Sequence, residues 1–467
     1  MIYAVVLGIV VTALCTVTAI RAMGVRSQAD FLVAGRKLPW PVLVFTLLSS
    51  WIGAGSLFAG AENAYSNGFA ALWQPAGGWL GLLVIFFVAG RARRFAQFTV
   101  PDLLEARFNS TARVMATVAI VISYTMITSY QFKAGGDIVH LIFPSVDRLT
   151  GMYVIAAFVI VFTAAAGMAS IAYLDLLIGG LVTVIVVIAV PMLLISGGGW
   201  AQVRANLPAT HFEVLGNLSV AQALGYLLPT MLLLVGNQGM YQKFFSARSE
   251  RDARFAVGGW IVGTVLLETL LVTLAVIGSA RFHTESPREI IPLTARQGLP
   301  AWAGAVLLGG IFAKVISTAN NYLFSPATNL IHDVYARFVH KNASERANLI
   351  ASRIIVVALG VFALLQATRF ESILAAALYA YTVYGAAVTP VVMSVFFWKR
   401  ATAAAAVSSI VLGTVVTVGW KLMGYDLDYA VYPALAASAI SLVAVSLLTR
   451  KPAETKWKPF FAAEGSL

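Results

Sequence analysis

The chain is poor in charge. Only 11% of its 467 residues are Asp, Glu, Lys or Arg, and 60% are hydrophobic, whereas a soluble domain carries about 25% charged residues. A water-soluble globular fold is therefore excluded. There is one cysteine, Cys15, so no intrachain disulfide can form and cysteine usage says nothing about redox compartment. Five histidines are scattered without metal-ligand spacing. No Gly-Lys dipeptide occurs, which removes a P-loop and with it ATP hydrolysis. Paired-carboxylate, His-rich and nucleophile-elbow arrangements are missing too, so the chain does not read as an enzyme. No linker, low-complexity tract, sequence repeat or soluble domain interrupts it, and the tail after Arg450 is 17 residues, too short to fold alone.

Apolar runs of about 20 residues, the length that crosses a bilayer, recur along the whole chain instead. Thirteen are read, at 1–22, 38–64, 70–90, 112–131, 149–166, 171–197, 219–241, 255–280, 300–329, 347–367, 373–398, 402–424 and 429–448. The expected fold is an all-α polytopic membrane protein of about thirteen transmembrane helices. The first run has no basic residue before it and Arg21 and Arg26 at its end. A cleavable signal has the reverse order, so this is an anchor helix with its N-terminus outside. The loops on one side of the alternating runs hold 23 Lys and Arg, and those on the other hold 8. This bias places the first side, and the C-terminus, in the cytoplasm of a cell (inner) membrane. The net charge of +12 thus reflects topology and contact with anionic membrane lipid, not nucleic acid.

Two runs look interrupted. The second reads Leu48-Ser49-Ser50-Trp51-Ile52-Gly53-Ala54-Gly55-Ser56, and the seventh reads Val235-Gly236-Asn237-Gln238-Gly239. Irregular backbone at membrane depth is tolerated where it lines a cavity or is buried in protein. The two runs are five apart. Five is odd, so a second five-helix unit starting at the seventh run enters from the opposite face. That is the arrangement of an inverted-repeat transporter with a site at the midplane. The chain is read as a single transmembrane domain: 1–37 an extra helix and loop, 38–197 the first repeat, 198–398 the second, and 399–467 two further helices and a short tail.

Lys314 lies in the middle of the apolar run Leu307–Ile316. An ammonium at the centre of a membrane helix costs about 2.5–3.5 kcal/mol on insertion scales, so it needs a partner or a task. Ser317 and Thr318 follow on the same helical face. Asp175 and Glu268, the latter inside Leu266-Leu267-Glu268-Thr269, are the expected counter-ions.

The chain resembles the sodium:solute symporter family from about Ala29 to Gly413. The resemblance is carried by Asp30-Phe31-Leu32-Val33-Ala34-Gly35-Arg36-Lys37-Leu38-Pro39, by Thr99-Val100-Pro101-Asp102-Leu103-Leu104-Glu105-Ala106-Arg107-Phe108, and by Phe397-Trp398-Lys399-Arg400-Ala401-Thr402 with Ala406 and Gly413. It implies the LeuT-like 5+5 inverted-repeat fold. It also implies a sodium site with carbonyl ligands at Ser49 and Ile52 and hydroxyl ligands at Ser317 and Thr318, and an acidic residue, Asp175, on the ion's inward route. Solute contacts carried over from the family fall on Ser56, Gln74, Asn237, Gln238 and Glu268, with Tyr379 and Tyr381 by a looser match. Position 314, usually small and a third carbonyl ligand, is lysine here.

Two readings of ion coupling follow. In one, Lys314 replaces sodium, and proton binding at it or at its carboxylate partner drives transport. In the other, Lys314 is fixed in an ion pair and sodium binds nearby, or the protein is a sodium-independent exchanger. The expected function is import of a small polar organic solute by alternating access, coupled to sodium or protons, with no cofactor beyond the ion. A transporter-like sensor that binds solute without coupled flux is the alternative.

Overall fold

The computed structural model describes residues 1–22, 36–95, 99–165, 168–340 and 344–461. The resemblance-bearing stretch Asp30–Gly35 and the loop charges Arg26 and Lys341 lie outside them. The described chain is almost entirely helical: α1 (Ile2–Ala22), α2 (Trp40–Trp51), α3 (Gly60–Asn67), α4 (Trp73–Phe95), α5 (Val100–Arg107), α6 (Ser110–Ile142), α7 (Arg148–Ala165), α8 (Met168–Ser196), α9 (Gly199–Asn206), α10 (Val220–Gly236), α11 (Gln238–Ser246), α12 (Glu250–Ser279), α13 (Ile290–Gly298), α14 (Ala301–Asn329), α15 (Glu345–Ala367), α16 (Ile373–Ala387), α17 (Thr389–Phe397), α18 (Ala403–Leu422), α19 (Val431–Leu448) and α20 (Glu454–Phe461).

All thirteen expected membrane runs are helical. The second divides at its glycines into α2 and α3, and the seventh into α10 and α11. The loops expected at 91–111, 198–218 and 282–298 carry the short helices α5, α9 and α13. Polar side chains set several helix starts by accepting otherwise unpaired backbone N–H groups. Thr99 opens α5, Asn109 opens α6, Ser219 opens α10 with Gln222 in a capping box, and Ser249 opens α12.

Helices α14 and α16 run through the interior and are buried almost along their length. That explains why α14 is apolar all round except where it meets polar partners. Helices α1, α15, α18 and α19 lie at the periphery and show Ile, Leu, Val and Phe to the outside, as lipid-facing helices do.

The two broken helices are tied together at one end. Leu38 N donates to Ser246 O (3.1 Å), and Arg248 N donates to Leu38 O (2.9 Å), so the entry to α2 pairs with the exit of α11. The 99–108 and 397–402 stretches also meet. Arg107 is buried and donates to the carbonyls of Trp398, Lys399 and Ala401 at 3.2–3.4 Å. Burial away from any carboxylate pushes its guanidinium down to about 10.

Candidate functional site

The first helix break is a close-packing feature. After Ile52 turns to φ −82, ψ 99, the backbone leaves helical geometry and resumes through a π-type turn over Gly55–Ala59. Such turns often mark functional sites. A Cβ on Gly53 would fall 2.5 Å from Thr318 Oγ1, and one on Gly55 would collide with the Tyr381 hydroxyl. Glycine at these two positions lets α14 and α16 touch the break.

Thr318 Oγ1 donates to the carbonyls of Ser49 (3.1 Å) and Ile52 (3.4 Å). Three of the four oxygens that the resemblance assigned to an ion, the Ser49 and Ile52 carbonyls and the Thr318 hydroxyl, thus meet in one α2–α14 contact, while the fourth, the Ser317 hydroxyl, turns to α8. Ser317 Oγ donates to Asp175 Oδ1. Lys314, 0% exposed, donates from Nζ to Ser49 Oγ at 3.2 Å. The amine therefore lies against the same helix break as the carbonyls, at the residue that contributes one of them.

A second buried amine was not foreseen. By its position beyond the seventh apolar run Lys243 belongs with the cytoplasmic loop charges, but it sits on α11 at 1% exposure. Its Nζ donates to Asn321 Oδ1 (2.8 Å) and to Ser50 Oγ. Sequence position hid it: Lys243 lies two residues beyond the seventh apolar run, and only the break at Asn237 carries it inward. Its spacing from that break was the available signal.

Asp175, fully buried on α8, lies close enough to both amines to act on each through its charge. It accepts from Thr46 Oγ1 (2.6 Å), Ser317 Oγ and Asn321 Nδ2 (3.4 Å). Among the described residues no ion pair shorter than 4 Å joins Asp175 to either lysine. The two hydrogen-bonded groups adjoin at Ser49 and Ser50 and make up a polar cluster shared by α2, α8, α11 and α14. It holds two amines and one carboxylate, so with every group ionised it carries one uncompensated positive charge. An uncompensated charge in a low-dielectric interior is costly.

Glu268 does not join this cluster. It projects from α12, 4% exposed, and accepts from Trp51 Nε1 (2.9 Å) and Ser56 Oγ (3.2 Å) on one oxygen and from Trp79 Nε1 (2.9 Å) on the other. The expectation that it balances Lys314 is corrected: two indoles and a hydroxyl occupy it. It lines a small cavity beside the α2–α3 break, together with Trp51, Ser56, Gln74, Thr230 and Tyr381. Trp79, five residues beyond Gln74 on α4, is not among the residues that the sequence points to.

The remaining expected solute contacts are spread more widely. Asn237 caps α11 through its side chain, accepts from the Tyr124 hydroxyl (2.9 Å) and donates to that of Tyr322 (3.1 Å). Gln238 reaches toward α5, where its Oε1 accepts from Val100 N. Tyr379 packs against Phe370 in a tilted arrangement, with ring centroids 5.7 Å apart. None of these three lines the Glu268 cavity; Ser56, Gln74, Glu268 and Tyr381 do.

At the end of the bundle where α5 and α6 meet, Arg113 is buried among three carboxylates: Asp102 (3.0 Å), Glu105 and Asp333 (2.7 Å). Arg337 reaches Glu105 at 3.1 Å, and Thr99 Oγ1 donates to Asp333 (2.9 Å). Like Lys243, Arg113 stands at the edge of an apolar run, where a loop charge is expected, and is instead an interior tie. Partial burial raises the Glu105 carboxyl, but hydrogen bonds and charge from Arg113 and Arg337 outweigh it and hold it below the usual range.

Comparisons with known proteins bear on this geometry. The model of the sodium:solute symporter family matches residues 31–413. A sodium/proline symporter of Haemophilus influenzae is 25% identical, covering 93% of this chain and 92% of that protein. The high-affinity proline transporter PutP of Bacillus subtilis is 26% identical, covering 91% and 93%. Among solved structures, a Na+-coupled sialic acid symporter in a substrate-bound outward-open state superposes with a TM-score of 0.83 at 16% identity, over 97% of this chain and 98% of that one. The nucleobase-cation-symport-1 transporter Mhp1 in a closed conformation superposes at 0.61 and 13% identity, over 93% and 99%. These two share the fold, which is the LeuT-like inverted-repeat architecture with extra helices outside the core.

Proposed function

The chain belongs to the sodium:solute symporter family, and on that premise we propose that it imports a small polar organic solute by alternating access, with proton binding at the Lys314–Asp175–Lys243 cluster as the coupling step. It is a multi-pass membrane transporter and not an enzyme. The proposed orientation is N-terminus outside and C-terminus in the cytoplasm of the inner membrane, on the distribution of basic loop residues. The two repeats are proposed to span 38–197 and 198–398.

The observation that carries the coupling is the buried Lys314 amine on Ser49. Where the family's pattern calls for a small residue beside four oxygens, this chain supplies its own cation. The Ser317 hydroxyl is engaged by Asp175, and the Thr318 hydroxyl points its proton at the two carbonyls. The charge count of the cluster favours a proton: losing one from the fully ionised cluster leaves it neutral, and gaining it back restores a single positive charge. Helices α2 and α14 hold opposite sides of the cluster. Any rocking of one against the other changes the Lys314–Ser49 and Thr318–Ser49 distances, and so changes proton affinity at Lys314 between the two states. That difference in affinity is what coupling requires.

Sodium coupling is the second reading, favoured by the sodium-coupled relatives and by the gathered carbonyls of Ser49 and Ile52. Counterflow and uptake of labelled polar solutes in proteoliposomes decide between them. The expected result is counterflow in sodium-free buffer and accumulation under an acid-outside gradient. Uptake strictly dependent on sodium and indifferent to pH would overturn the proton reading.

A further inference from the structure

We infer that the solute is a protonated amine carrying a net positive charge and no carboxylate, bound through its N–H groups to Glu268 and Gln74. This deepens the transport reading and rests on it. The only charged side chain lining the cavity, among the described residues, is Glu268; no Lys, Arg or His joins it. Its three hydrogen-bond partners are neutral: the Trp51 and Trp79 indoles and the Ser56 hydroxyl. They orient the carboxylate without cancelling its charge. A carboxylate at this depth needs a counter-charge, and the protein supplies none here, because both interior lysines are committed elsewhere, to Ser49 and to Asn321 with Ser50.

The acceptors left open define the rest. A carboxylate has about four lone-pair sites. Oε1 of Glu268 accepts twice and Oε2 once, which leaves one place on Oε2. The Gln74 amide oxygen, buried on the same cavity wall, has no hydrogen-bond partner. Two unfilled acceptors call for a ligand that donates at least twice, and a cation is the ligand that keeps Glu268 ionised in a cavity with no other charged side chain. A protonated primary or secondary amine does this. A quaternary ammonium has no N–H to give. An amino acid would bring a second carboxylate into a cavity that offers it no cationic side chain. Trp51 and Tyr381 supply aromatic walls for the carbon skeleton.

The test uses matched probes on the purified, reconstituted full-length protein: methylammonium, prolinol (a monocation at neutral pH), proline (its zwitterionic counterpart) and cyclopentylmethanol (its neutral isostere). Binding is read by thermal protection and tryptophan fluorescence, and flux by counterflow of the labelled compounds and of a wider panel of neutral and anionic solutes. The expected result is that prolinol binds about tenfold or more tightly than both proline and cyclopentylmethanol, and that Glu268→Gln removes this preference, as loss of a charge-assisted hydrogen bond implies. The wild-type ranking by charge stands even if the variant is unstable. Equal binding of cation and neutral isostere, or tighter binding of proline, overturns the assignment. If the amines give no protection while another solute is bound and moved, the amine assignment falls and the transport reading stands. If amines bind and nothing is moved, the assignment stands and transport falls. If nothing is bound or moved, both fall.

Discussion

Replacing Lys314 with methionine separates the coupling charge from the fold. Methionine keeps an unbranched apolar stem of similar length and deletes the amine, whose hydrogen bond is to Ser49 Oγ at 3.2 Å. Because the residue is 0% exposed on a helix packed on all sides, the change removes a desolvated amine and its one hydrogen bond. The change removes the surplus positive charge of the cluster and leaves Asp175 with Lys243, so the cost of stranding one partner of a buried pair does not arise, and thermal stability in detergent should stay within about 1 kcal/mol of the parent or rise.

Transport should change far more. One pH unit corresponds to about 1.4 kcal/mol per proton, so one-to-one coupling drives about tenfold accumulation per unit of gradient. The assay is uptake into proteoliposomes with the membrane potential clamped to zero and the outside one unit more acidic. The parent should approach tenfold accumulation. Lys314→Met should equilibrate its solute without concentrating it, while keeping counterflow and solute binding. A variant that concentrates solute as well as the parent would refute the role of this amine in coupling.

Other outcomes follow from the same geometry. Asp175→Asn should lower stability by about 1–3 kcal/mol or more, because an amide nitrogen would face one of the donors from Thr46, Ser317 and Asn321; unchanged thermal unfolding would remove Asp175 as the centre of the cluster. Gly53→Ala should cost about 1–3 kcal/mol by overpacking, since its Cβ would fall 2.5 Å from Thr318 Oγ1, and it should reduce transport; an active, stable alanine variant would mean that the α2–α14 contact is looser than described. Arg113→Met should destabilise by about 3–5 kcal/mol, as it leaves Asp333 buried beside Asp102 and Glu105 without their shared cation. Glu105 adds a pH dependence at the same place. Its folded carboxyl lies below the unfolded value of about 4.3, so its contribution is present above that pH and is lost as pH falls through the lower folded value. The hydrogen-exchange protection factor of α5, which removes the intrinsic pH dependence of exchange, should therefore fall on strong acidification more in the parent than in Glu105→Gln, and an equal fall in both would count against this.

Much of the architecture was legible in the chain. Apolar run length determines spans because the bilayer accepts little else, and paired glycines beside Ser and Asn at equivalent places in two halves mark broken helices, since backbone at that depth must be covered. Lys314, Ser317, Thr318 and the carbonyls at Ser49 and Ile52 could be placed on facing segments by helical spacing and family resemblance. Partnership could not. Lys314 and Glu268 are both membrane-depth charges of opposite sign, and on the linear chain they look like a pair. Folding puts them at different faces of the α2 break, one against Ser49 and the other between Trp51 and Trp79. Likewise Lys243 and Arg113 sit at the ends of apolar runs, where a loop charge and an interior charge have the same local sequence. Composition and period are local properties, and the chain alone determined them; which donor meets which acceptor depends on the crossing of α2, α8, α11, α12 and α14, which joins residues from 78 to 269 positions apart, and only the tertiary structure decided that.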